Sequence, residues 1–173
     1  MKLLSNNPLL LIPALLLFAL FLHSCDEDEF YEPDLSAVPE AYDTTGVDRE
    51  ELENGLVIYT HEEGSGDMTV SAGDNVAVRY TGRVITGEVF DSSWMDGNTN
   101  PAQFNLRNTI QGFPQGLEGL KEGSRVTLII PPALGYGLQP PPSRYNVLAQ
   151  IQPNATIVFD VDLIGILDSD RGF

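Results

Sequence analysis

The stretch Thr109–Gly137, "TIQGFPQGLEGLKEGSRVTLIIPPALGYG", decides the fold. Phe113, Leu117 and Leu120 recur at helical spacing, with Pro114 at the start and Gly123 beyond the end, so the pattern predicts one short helix within 113–123. "SRVTLIIP" follows at once as a β-branched strand, closed by paired prolines. Outward from this stretch the period is two. Upstream, "NVAVRYTGRVI" (75–85) alternates Val76, Val78 and Tyr80 against Ala77, Arg79 and Thr81. "LVIYTHEEG" (56–64), "VFDSS" (89–93) and "AQFNL" (102–106) read as further short strands, separated by the turn chemistry of "GSGDMTVSAGD" and "TGE". Downstream, "ATIVFDVDLIGI" (155–166) is a strong strand. Strands with a single short helix predict an α+β fold, an antiparallel sheet packed on that helix.

The order of the pieces is more specific than any one of them. "VRYTGRVITGEVFDSS", then "FNL", then the 109–137 stretch, then "ATIVFDVDLIGI" resembles the FKBP-type peptidyl-prolyl isomerases over about Leu56 to Leu167. The resemblance implies a five- to six-stranded antiparallel sheet wrapped around one short helix. It also implies cis/trans isomerisation of X-Pro bonds in polypeptide clients, assistance to the folding of exported proteins, and macrolide inhibitors as ligands. That chemistry needs no nucleophile, metal or cofactor. Rotation breaks amide resonance against a barrier of about 18–20 kcal/mol, and a dry aromatic pocket favours the twisted amide over the planar one.

By this resemblance the catalytic positions are Asp91, Phe90 and Tyr136. The substrate-binding positions are Tyr80, Phe104, Ile110, Phe113, Ile151 and Phe159. Asp91 is expected to accept from the Tyr80 hydroxyl, and the Ile110 N–H and the Tyr136 hydroxyl to meet flanking substrate carbonyls. Taken without the resemblance, aromatics alternating on strands are core residues, and Asp91 is a turn cap. Phe113 stands where the family usually has a tryptophan, and Ala102 where many members have a phenylalanine on the rim. These departures, with long loops at 92–101 and 137–155, leave a non-catalytic peptide-binding or chaperone module as the alternative. Trp94, the only tryptophan, is either a client contact or a packed loop anchor. Tyr145 and Leu148 either lie over the pocket or merely cover it.

Composition frames this domain. With 9 basic and 25 acidic residues the net charge is −16, a field that repels phosphate backbones and argues against nucleic acid as a partner. One cysteine permits no internal disulfide. Two histidines, His23 and His61, permit no multi-histidine metal site. Asp96, Asn98 and Asn100 have calcium-loop spacing, but Pro101 replaces the required glycine and Arg107 the closing glutamate.

The amino-terminal 24 residues read as a signal peptide. Lys2 precedes the apolar run Leu9–Leu22, interrupted by Pro13 and short for a membrane span of about 20 residues. Its end, "LHSC", resembles a bacterial lipobox, which implies lipidation of Cys25 and a membrane anchor. Residues 25–53 hold twelve acids against Arg49 alone, so composition predicts a solvated, flexible tether with the isomerase domain at 54–173. "DEDE" after the cysteine resembles an acidic surface-export signal of bacterial lipoproteins; a plain linker is the other reading. The expected location is extracytoplasmic, on a bacterial outer membrane, periplasmic or surface-exposed.

Overall fold

The alternation in the sequence becomes one sheet because each strand offers an apolar face to a common core. The computed structural model describes residues 31–145 and 147–167. The strands are β1 (Asp48–Glu51), β2 (Val57–Glu62), β3 (Asn75–Val84), β4 (Val89–Ser92), β5 (Ala102–Asn105), β6 (Arg125–Ile130) and β7 (Ile157–Leu167), with α1 (Gly112–Leu117) between β5 and β6. All pairings are antiparallel, in the order β1-β2-β6-β7-β3-β4, with β5 also on β3. The long β3 and β7 form the centre, pairing from Asn75↔Leu167 to Val84↔Ile157.

Val76, Val78 and Tyr80 of β3, Val126, Leu128 and Ile130 of β6, and Phe159, Val161 and Leu163 of β7 are all buried on the inner face. There α1 closes the core. The helix comes so near β6 that a Cβ on Gly116 would stand 2.6 Å from Leu128 Cδ2, so only glycine fits that contact. The sequence predicts a longer helix reaching Leu120. The helix stops at Leu117, because Glu118 turns to extended dihedrals (φ −57°, ψ 132°). Leu120 leaves the helix to accept at its carbonyl from Val70 N–H at 2.8 Å, a tertiary bond that spacing cannot show.

The boundary at residue 54 is corrected by the structure. Where composition predicts a tether over 25–53, residues 32–53 belong to the compact unit that begins at Glu32. Residues 48–51 are the edge strand β1 on β2, and Leu52 packs against the core. Charged side chains on this wholly exposed edge strand also discourage pairing with other sheets. Further upstream, residues 39–42 cover the outer face of the sheet. The Pro39 carbonyl accepts from the buried Arg83 guanidinium at 2.5 Å. Arg83 also pairs with Asp160 at 2.8 Å, and Thr127 Oγ1 donates to the same carboxylate at 2.6 Å. The Tyr42 hydroxyl donates to Asp162 at 2.9 Å, beside Arg125. The acids of this arm suggested repulsion, but its anchors are backbone groups, Tyr42 and aliphatic carbons. The apolar run Leu9–Leu22, Cys25 and the "DEDE" segment lie outside the described residues.

Candidate active site

Four strands, the helix and two loops converge on one groove at the end of the inner face. Tyr80 comes from β3, Phe104 from β5, Phe113 from α1 and Phe159 from β7. Their rings pack edge to face or tilted: Tyr80–Phe104 at 5.4 Å, Tyr80–Phe159 at 6.1 Å, Phe104–Phe113 at 6.1 Å and Phe113–Phe159 at 5.4 Å between centroids. Each such pair adds about 0.5–1.5 kcal/mol beyond burial, so the cluster is a stiff wall. With Asp91, Asn108, Thr109, Ile110, Tyr136 and Arg144 it encloses a cavity of about 360 Å³.

Asp91 is the one carboxylate lining this cavity among the described residues. Its Oδ2 accepts from the Tyr80 hydroxyl at 2.7 Å, the contact that the sequence reading expects. Burial pushes the Tyr80 hydroxyl well above the ordinary tyrosine range, and the Asp91 charge adds to the rise. Tyr80 therefore stays a donor and Asp91 an acceptor. Burial, then Asp91, also raises Tyr136, opposed by the Arg144 charge. The Tyr136 hydroxyl and the Ile110 N–H have no hydrogen-bond partner among the described residues, while the Ile110 carbonyl accepts from Phe113 N–H at 3.0 Å. Both donors are thus open to a ligand's carbonyls.

Phe90 and Ile151 do not line the aromatic cavity itself. Both border a second lobe of about 220 Å³, which adjoins the aromatic cavity across Asp91, Tyr136 and Arg144. The Phe90 ring lies edge-on to Phe159 at 5.5 Å and to Tyr136 at 6.4 Å, so it partitions the two lobes. Gly82 makes this possible. A Cβ there would come within 2.7 Å of the Phe90 ring and 2.9 Å of Phe159.

Tyr145 and Leu148 line the second lobe. Trp94 lines neither lobe; it is half-buried under the Arg79 guanidinium at 4.3 Å and anchors its loop. His61 lies away from both lobes, against Thr127 Oγ1 at 2.9 Å and the Tyr42 ring. Sequence reasoning missed Asn108, Thr109, Arg144 and Pro33. Arg144 had a signal, as the only basic residue in the 137–155 loop. Pro33 had none, since it reaches the groove only because the arm docks.

The comparisons agree with this architecture. Residues 66–164 match the family model described as FKBP-type peptidyl-prolyl cis-trans isomerase. A probable FKBP-type peptidyl-prolyl cis-trans isomerase of Haemophilus influenzae is 37% identical over 121 residues, 70% of this chain and 46% of the relative. The peptidyl-prolyl cis-trans isomerase Mip of Coxiella burnetii is 37% identical over 115 residues, 66% of this chain and 46% of the relative. The crystal structure of FkpA from Escherichia coli superposes with a TM-score of 0.58 at 35% identity, covering 68% of this chain and 51% of that one. The chain spans less than half the length of these curated relatives. With the matched model spanning β3 to β6, most of β7, the helix and most of the groove, the chain belongs to the FKBP-type peptidyl-prolyl cis-trans isomerase family.

Proposed function

We propose that the protein is a peptidyl-prolyl cis-trans isomerase acting on proline-containing segments of exported proteins. The observation that carries this reading is the aromatic cavity of about 360 Å³ with one hydrogen-bonded carboxylate and two open donors. A proline ring fits against Phe104, Phe113 and Phe159. Its preceding carbonyl loses water on entry, and with it the hydrogen bonds that favour the planar amide. Ile110 N–H and the Tyr136 hydroxyl hold flanking carbonyls, so that only the X-Pro bond turns. Asp91 fixes the Tyr80 hydroxyl and presents the cavity's one negative charge. Every 1.36 kcal/mol taken from the barrier quickens exchange tenfold. Phe113, smaller than the tryptophan usual in the family, leaves this floor apolar and aromatic.

Two finer points belong to the same proposal. Cys25 carries the lipid that anchors the protein outside the cytoplasm, and residues 25–31 link the anchor to the domain. Macrolides of the kind that bind this family compete for the aromatic cavity.

The test is exchange of a short proline peptide with and without the purified protein. Acceleration is expected, with a loss of about two- to tenfold in Tyr136→Phe, which removes one neutral hydrogen bond worth roughly 0.5–1.5 kcal/mol. Cys25→Ser is expected to move the protein to the soluble fraction with its turnover unchanged. Peptide binding at the uncatalysed exchange rate would identify a non-catalytic module instead. A Cys25→Ser protein that stays with the membrane would refute the anchor.

A further inference from the structure

The second lobe has a built wall from an unexpected source. Pro33, from the arm, is buried there opposite Tyr145 and Leu148 of the long loop. A two-point clamp holds it. Asp96 N–H donates to the Asp34 carbonyl at 2.8 Å, and Asp34 N–H donates to Asp96 Oδ1 at 2.8 Å. The wall is therefore fixed to the 92–101 loop.

Among the described residues Arg144 is the only cation lining either lobe, and it borders both. It is exposed and makes no hydrogen bond or ion pair among the described residues. It lines the aromatic cavity together with Tyr80 and Tyr136, and its charge opposes the rise of both hydroxyls. The two carboxylates of the groove are engaged: Asp91 by the Tyr80 hydroxyl, Asp96 by Asp34 N–H. Arg144 is thus the lining charge left for a ligand.

We propose that the second lobe is a subsite for a residue flanking the client's proline, and that Arg144 makes it select an acidic one. This rests on the aromatic cavity being the proline site. Residues of an extended peptide advance by about 3.3–3.6 Å each, so a side chain one or two positions from the proline reaches across the shared border. The net charge of −16 works against an acidic peptide at long range. That field is screened beyond about 8 Å at physiological ionic strength, whereas Arg144 acts in contact.

The experiment uses purified full-length protein and fluorescent peptides with Glu, Gln or Lys immediately before or after one proline. Binding is read by anisotropy and isomerisation in parallel, at physiological ionic strength. The Glu peptides are expected to bind about two- to fivefold more tightly than the Gln peptides, the range of an exposed ion pair. Arg144→Glu is expected to invert the order in favour of Lys, and Pro33→Ala to weaken all peptides alike. The same rank order in wild type and Arg144→Glu would overturn the proposal, as would a preference for Lys in the wild type. Charge-dependent binding without turnover would sink the isomerase reading and spare the subsite. Turnover without charge preference would do the reverse, and binding of no peptide would sink both.

Discussion

The two faces of β7 carry opposite chemistry one residue apart. Phe159, Val161 and Leu163 point inward to the helix and the aromatic cavity. Asp160 and Asp162 point outward, a pattern that for a lone strand means solvent. Yet Asp160 is only 4% exposed, because the arm covers it and Arg83 pairs with it. The inner face is held by apolar area and ring contacts, packed closely enough that a Cβ at Gly82 or Gly116 would clash. The outer face is held by a network of charge and hydrogen bonds, in which each member needs its partner. A polar stripe on a strand is therefore not by itself a solvated face; it can be a docking surface for a distant segment.

The largest expected effect breaks the outer face. Asp160→Ala leaves the Arg83 guanidinium buried without its carboxylate, which costs about 3–5 kcal/mol. Chemical denaturation should show that loss, and limited proteolysis should then cut within residues 32–47. The double change Arg83→Met with Asp160→Leu should recover most of the stability, since a matched apolar pair replaces a matched ionic one. A loss below about 1 kcal/mol in the single variant would mean that the network behaves as a surface pair and that the arm is held by other means.

A smaller effect is expected on the inner face. Gly82→Ala forces the Phe90 and Phe159 rings apart at a cost of about 1–3 kcal/mol. It also opens the partition between the two lobes. Thermal unfolding and peptide exchange on the same protein should fall together; unchanged exchange with lowered stability would show that the partition is irrelevant to turnover.

The smallest effect appears only in alkali, and it samples both faces. Tyr80 on the inner face and Tyr42 on the outer are each raised above the ordinary value of 10.0, mainly by burial, with Asp91 and Asp162 adding to the rise. Below pH 10 both hydroxyls are protonated in folded and unfolded chains alike, so neither adds a pH dependence. Above it the unfolded chain ionises first and binds fewer protons, so stability is lost as pH rises toward the raised folded values. Tyr42→Phe and Tyr80→Phe should each flatten part of that alkaline slope. A slope that both variants leave intact would assign it to other groups.

How far the site could be read in advance follows the same division. Tyr80, Asp91, Phe104, Ile110, Phe113, Tyr136 and Phe159 all border one cavity, as their places in the motif suggest. Phe90 and Ile151 line the adjoining lobe, because the Phe90 ring packs over Gly82 and the long loop brings Ile151 there. Rotamers and loop paths are set by packing, and no spacing rule encodes them.

Alternation by two and one helical run of apolar residues determined the α+β sheet, its inner face and most of the aromatic cavity, because burial of a strand or helix face is a local property of side-chain order. Tertiary structure alone decided that the acidic arm docks, that Asp160 and Arg83 are buried, and that Pro33 and Arg144 stand at the groove. Those outcomes depend on partners dozens of residues away. A carboxylate's preference for water yields only where the fold brings a guanidinium, a hydroxyl and a backbone amide to it at once.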